Sequence, residues 1–252
     1  MLVINLRRSH QRRNRMIDQL NRLQLDWEMV EAIDAQSMTS RELASFCDPA
    51  ILKKSEGYLT PGAIGCVLSH QKALQMIVSK RYNRVCILED DLLLPDNFTS
   101  ILEEVDGIAT DSEVILLYWL SFEKQLFIRQ TTIQLKSGYY LADSRNRDRL
   151  LSAVGYVVSA DSAVKLIESN QPIRVTADSW GYFLSRGAVQ RIRCLVPSPI
   201  ELAPAPSEIL LRSGGWLPRG KYWLEMIFPP LGRWVHRRRK EFYRESSRFD
   251  WA

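Results

Sequence analysis

Short apolar runs alternate with charged stretches along this chain, and the spacing inside each run predicts an element. Residues 2–6 read as a first strand, and residues 10–23 as a helix with Met16, Ile17, Leu20 and Leu23 on one face. Residues 26–33, with Trp27, Met29, Val30 and Ile33, form a second strand, so the chain opens strand, helix, strand. That alternation is the signature of α/β architecture with a parallel sheet, in which ligands gather beyond the carboxyl ends of the strands. Residues 36–60 have weak periodicity and read as a polar connection of loop and short helix. Thr60-Pro61 then starts a helix that runs through Ile77. Its first turn holds Gly62, Ala63 and Gly65, small enough to approach another backbone or a ligand closely. His70 shares a face with Leu74 and Ile77 near Cys66, where a histidine is either a satisfied core residue or a ligand.

Residues 84–88 form a further strand, followed after Pro95 by a helix to about residue 105 and a strand over 113–118. Residues 122–141 alternate loosely and read as a pair of strands, and 143–149 as an exposed, mobile, charged turn. A strand over 153–159 precedes an amphipathic helix over 161–168. Residues 172–178 lead into a helix with Trp180, Tyr182 and Phe183, and residues 189–196 form a last strand. Asp178 stands among apolar and aromatic residues, where an isolated acid is either a helix N-cap or a functional carboxylate.

The strand over 84–88 ends in three successive carboxylates, Glu89, Asp90 and Asp91. Ionised together beside an apolar strand they repel one another unless something positive sits there, and hard divalent cations prefer such oxygen ligands. Because strand side chains alternate faces, Glu89 and Asp91 can point one way and Asp90 the other. The functional reading is a Mn²⁺ or Mg²⁺ site, with Glu89 and Asp91 as ligands and a substrate phosphate completing the coordination. The alternative is a solvated acidic loop in which Asp91 or Asp96 caps a helix.

Composition adds three things. With 252 residues, 46% hydrophobic and 25% charged, the chain is long enough to bury a sizeable core and is not disordered. No apolar run approaches the length of a spanning helix, and the first six residues are too short for a signal h-region. Four cysteines without CxxC spacing suggest reduced, mostly buried thiols in a cytosolic protein. The net charge of +5 is unevenly placed: residues 212–252 carry ten Lys or Arg against four acids, which leaves the rest near −1. Four of the seven tryptophans, Trp216, Trp223, Trp234 and Trp251, lie in the same stretch. Tryptophan interleaved with arginine suits an anionic membrane surface. A nucleic-acid patch is the competing reading, but no recognisable RNA or DNA module accompanies it, and no nucleic-acid partner is expected.

INLRRSHQRR at 4–13, AID at 32–34, GAIGCVLSH at 62–70 and CILEDDLLLPDNF at 86–98 occur in that order. With GYVVSADSAVKLI at 155–167, PIRVTADSWGYF at 172–183 and CLVPSP at 194–199, they resemble the family 25 glycosyltransferases. This group holds bacterial lipooligosaccharide galactosyltransferases and their collagen-modifying relatives. The resemblance covers roughly residues 1–200. It departs at Ala35, where glycine is usual, and at Ala63, where an acid is common.

What the resemblance implies is a GT-A-like α/β fold over residues 1–205, followed by a basic, Trp-rich extension over 206–252. It also implies transfer with inversion of a hexose, most often galactose, from a UDP-sugar to a hydroxyl of a lipooligosaccharide acceptor. Asp178 matches the later acidic position of the family pattern and is the expected base, with His70 as a second catalytic candidate. Asn5, Arg7, Arg12, Asp34 and Asp90 are the donor-site candidates. Such an enzyme would work in the bacterial cytoplasm, peripheral on the inner membrane through its basic extension. Two rivals stay open: a metal-dependent nucleotidyltransferase, and a non-enzymatic peripheral membrane or RNA-binding module with a merely structural acidic loop.

Overall fold

The computed structural model describes residues 1–54, 59–203 and 249–252, and its opening follows the apolar pattern. β1 (Leu2–Asn5) leads to α1 (His10–Arg22) and β2 (Glu28–Glu31). Among its described residues the polar connection holds two short α-helices, α2 (Ser40–Phe46) and α3 (Pro49–Lys54), the first started by a reciprocal cap between Thr39 and Glu42. α4 (Pro61–Ser79) begins where Thr60 and Pro61 place it, the Ala63 N–H donating to Thr60 Oγ1 at 3.2 Å. β3 (Arg84–Glu89), β4 (Leu92–Leu93), α5 (Phe98–Ile108) and β5 (Glu113–Leu116) follow. The stretch predicted as a pair of strands contains β6 (Gln125–Phe127), β7 (Ile133–Gln134) and the start of β8 (Tyr140–Asp143). Then come β9 (Gly155–Ser159), α6 (Ala160–Ser169), α7 (Trp180–Ser185) and β10 (Arg191–Val196). Among the described residues two strands lie beyond the expected last one, β11 (Glu201–Leu202) and β12 (Phe249–Trp251).

Eight strands form one sheet in the order β2-β1-β3-β9-β5-β10-β8-β7. β1 is parallel to both neighbours, Ile4 lying opposite Val30 on one side and Glu89 on the other. The expectation of a parallel sheet therefore holds here and at β5–β10, but β9 runs antiparallel between β3 and β5. Its sequence, GYVVS, is buried at every residue. A strand covered on both faces shows the same unbroken apolar run in either direction, so the pattern carried no sign of its polarity.

Alternation along the strands sorts the core into two layers. Leu2, Ile4, Val85 and Ile87 face α4 and α6, packing with Ala73, Leu74, Ile77 and Leu166. Val3, Cys86 and Leu88 face the other way, onto Met16 and Leu20 of α1 and Ile101 and Val105 of α5. Across β5 and β10, Arg193 is buried against Glu113, with Nε to Oε2 at 2.9 Å and Nη2 to Oε1 at 2.7 Å.

The charged stretch expected to be an exposed turn is only partly so. Arg145 and residues 147–149 are exposed, but Asp143 is buried at the end of β8, where both its oxygens accept from Arg191 at 2.8 and 2.5 Å. All four cysteines are free. No helix among the described residues is long and apolar enough to cross a membrane. Most of the basic extension, residues 204–248, lies outside the described residues. Trp251, which sequence grouped with the membrane-facing aromatics, instead packs through β12 against β6, with Tyr140 and Phe127 at 5.4 and 6.1 Å between ring centres.

Candidate active site

β1 is the point at which the chain changes direction. From it α1 crosses one face of the sheet to β2, and α4 returns across the other face to β3, on the opposite side of β1. A crevice opens at such a switch, beyond the carboxyl ends of the two adjacent strands. The first turns of α1 and the first half of α4 flank it from opposite faces. Gly65 sets how close α4 comes: a Cβ there would lie 2.8 Å from the Ile33 carbonyl oxygen. Ser69 fixes that approach, accepting from the Ile33 N–H at 2.8 Å and donating to the Gly65 carbonyl at 2.6 Å.

The three carboxylates project into this crevice from the end of β3 and the turn after it. Asn5 Nδ2 donates to Asp90 Oδ2 at 2.5 Å, and Arg12 Nη1 reaches both Asp90 Oδ1 at 3.1 Å and Asp91 Oδ2 at 3.3 Å. β3 ends at Glu89, so Asp90 and Asp91 lie in a turn and strand alternation does not separate them. Glu89 turns toward α4 instead, its Oε1 lying 3.2 Å from His70 Nε2 and accepting from Cys66 Sγ at 3.9 Å. The other ring nitrogen of His70 lies 3.0 Å from the Tyr156 hydroxyl.

Carboxylates outnumber cations here, and the protonation energetics follow. Burial first, then the neighbouring Glu89 charge, pushes Asp91 up to about 7 despite Arg12. Asp90 is also raised, by burial, with the Asn5 and Arg12 contacts opposing it. Burial, aided by the charges of Glu89, Asp178 and Asp91, drives the Cys66 thiol well above its usual value. Asp91 Oδ1 is buried and accepts no hydrogen bond from the described residues. An orphaned buried oxygen beside crowded hard donors fits a Mg²⁺ or Mn²⁺ ion.

Six of the nine residues singled out from sequence line this one crevice: Arg12, Asp34, His70, Glu89, Asp90 and Asp91. Asn5 joins them through its bond to Asp90. Asp34 pairs with Arg8, its neighbour across the crevice, and also accepts from the Gln36 N–H at 3.3 Å. Arg7, the candidate from this pair of arginines, is exposed, and it is Arg8 that lines the site. Asp178 stands apart from the lining, held by the Thr176 hydroxyl at 2.7 Å and the Ser152 N–H at 3.2 Å, yet its charge reaches Cys66. Sequence reasoning missed Arg8, Cys66 as a member of the site, and Tyr156. Only Cys66 carried a usable signal, its i, i+4 spacing to His70.

A mixed α/β sheet with acids at its switch point defines the general class, an enzyme-like fold with a ligand crevice at the strand ends. The particular family comes from residues 1–180, which match the model for glycosyltransferase family 25 (LPS biosynthesis protein), and the chain belongs to that family. It is 25% identical over 178 residues to human procollagen galactosyltransferase 2, covering 68% of this chain and 27% of that protein. Over 109 residues it is 33% identical to the mouse inactive glycosyltransferase 25 family member 3, covering 42% of this chain and 18% of that one. The chain thus spans about a quarter or less of the length of these two relatives. Among solved structures, apo UDP-glucose pyrophosphorylase aligns with a TM-score of 0.37 and 11% identity, over 73% of this chain and 77% of that one.

Proposed function

We propose that this chain transfers a hexose, galactose in the first instance, from a UDP-sugar to a sugar hydroxyl of a lipooligosaccharide, with inversion. The observation that carries the reading is the Asn5–Asp90 contact across the switch point, with Arg12 on both Asp90 and Asp91, at the strand ends where a nucleotide diphosphate would enter. The family supports glycosyl transfer, and the galactosyltransferase relative supports galactose.

Glu89 and Asp91 would hold the Mn²⁺ or Mg²⁺ ion, with Asp90 close by. That ion supplies charge neutralisation for the departing diphosphate. Arg12 and Arg8 add fixed positive charge on the α1 side, while Asp34, at the end of β2, is placed to accept from a ribose hydroxyl. His70 positions Glu89 through its 3.2 Å contact. Asp178 accepts the proton of the attacking hydroxyl, since inversion by one in-line attack needs a single base. The basic extension would hold the enzyme at an anionic membrane on the cytoplasmic face, near a lipid-linked acceptor.

The test is UDP release from a panel of UDP-sugars with truncated lipooligosaccharide acceptors, with Mn²⁺ or with chelator. Metal-dependent release with one donor, lost in Asp91→Ala, is the expected result. Folded protein that neither binds UDP nor releases it would align the chain with the inactive relative, and release of pyrophosphate would mark a nucleotidyltransferase.

A further inference from the structure

A second set of metal donors lies on the α4 side of the crevice, and its chemistry differs from that of the acidic step. Cys66 and His70 are one turn apart on α4 and so share a face. Glu89 meets them from the end of β3. The Cys66 sulfur, a His70 ring nitrogen and a Glu89 oxygen all lie within 4.8 Å of one another. The two contacts to Glu89 Oε1 are 3.2 Å from His70 Nε2 and 3.9 Å from Cys66 Sγ. An ion with tetrahedral bonds of about 2.0 Å to nitrogen and oxygen and about 2.3 Å to sulfur separates its donors by roughly 3.3–3.7 Å. These two spacings lie close to that range and the third is within 4.8 Å, so modest side-chain movement would close the set around an ion.

We propose that Cys66, His70 and Glu89 form a binding site for a thiophilic divalent ion of the Zn²⁺ class, distinct from the hard-cation site at Asp91. Thiolate, imidazole and carboxylate together select Zn²⁺ over Mg²⁺ or Mn²⁺, which favour all-oxygen sets. The ring of His70 is already oriented for this role. With Nε2 on the ion, Nδ1 carries the proton and donates to the Tyr156 hydroxyl, 3.0 Å away, an outer partner of the kind that fixes ligating histidines. Glu89, Asp178 and Asp91 place net negative charge around Cys66, a field that a divalent ion would offset. Binding displaces the Cys66 thiol proton to solvent, one proton per ion. Three protein donors leave the fourth position open. If the proposed transferase reading holds, Glu89 serves both sites, and Zn²⁺ seated on α4 withdraws it from the donor-side ion and inhibits transfer.

The decisive experiment titrates the intact, metal-free protein with Co²⁺, followed by Zn²⁺ competition. A 1:1 complex with thiolate-to-Co²⁺ charge-transfer absorption and intense tetrahedral d–d bands, displaced by Zn²⁺ with release of no further proton, is expected. The charge-transfer band should vanish in Cys66→Ser, persist in Cys86→Ser and persist in Asp91→Asn. Tyr156→Phe, which keeps the ring but loses the outer hydrogen bond, should bind Zn²⁺ about 10–100-fold more weakly. His70→Gln provides a second ligand deletion should Cys66→Ser fail to fold, and it should abolish the tetrahedral bands. Absence of a charge-transfer band, or a band indifferent to both ligand substitutions, overturns the site. Because the readout is optical, an inactive transferase leaves it intact.

Discussion

Asn5 Nδ2 and Asp90 Oδ2 meet at 2.5 Å, joining the ends of the two parallel strands that flank the switch point. Both side chains are buried, and with the carboxylate ionised the bond is charge-assisted. Asn5→Ala is expected to cost about 1.5–3 kcal/mol by urea denaturation and to weaken UDP binding. Asn5→Asp sets two carboxylates against each other and should be worse at pH 8, with partial recovery at pH 5.

Asp91 gives the metal-free protein a distinctive pH dependence. Its carboxyl titrates at about 7 when folded, against 3.8 ordinarily, so the folded chain holds a proton that the unfolded chain has lost. Stability therefore falls as pH rises from about 4 to about 7 and stays reduced above that. Asp91→Asn removes this loss. In the presence of chelator its Tm at pH 8 should exceed that of the unaltered protein by on the order of 5 °C, with the difference vanishing below pH 4.

Asp178→Asn tests the proposed base. Asparagine keeps an oxygen for the Ser152 N–H or the Thr176 hydroxyl, so the turn before α7 should survive. Transfer should fall by about 10²–10⁴-fold with UDP affinity unchanged. Isothermal titration with UDP separates the two, and lost UDP binding would relocate Asp178 to the donor side.

Gly65→Ala pits helix propensity against sterics. Alanine gains up to about 1 kcal/mol within a helix, but its Cβ would press on the Ile33 carbonyl and on the side chain of Ala35. Displacing backbone in a packed region costs about 1–3 kcal/mol, so net destabilisation is expected, measured by thermal melts. Weakened UDP binding should accompany it, since the same approach places α4 against the crevice.

Trp251→Ala removes the packing that holds β12 on β6, including the Arg129 guanidinium 5.9 Å from the ring centre. A loss of about 2 kcal/mol is expected from the aromatic and cation contacts together, read by urea denaturation.

The legible parts of this molecule are those governed by local rules. The periods of 2 and 3.6 located β1, α1, β2, α4 and β3, and Thr60-Pro61 located a helix start to the residue. The acidic run after β3 marked the crevice because three adjacent charges beside an apolar strand demand a reason. What escaped depends on partners far along the chain. Asp143 reads as a surface acid until Arg191 arrives from β10 to bury it. Arg7 and Arg8 are adjacent and chemically alike, and only the turn after β1 decides which faces the crevice. Tyr156 reads as core because its ring is core, and nothing local shows that the ring stacks on His70 and its hydroxyl reaches a ring nitrogen.

The strand β12 also changes what the basic extension is. Ala203 donates its N–H to the backbone carbonyl of Asp91 at 2.7 Å, and Phe249 lies in register with Gln125. The described residues on either side of 204–248 are therefore both moored, Ala203 at the acidic step itself and Phe249 on β6. Cutting the chain near residue 210 would cast off the β6 mooring along with the basic residues, so vesicle binding is better compared between charge-neutralised variants that retain residues 249–252.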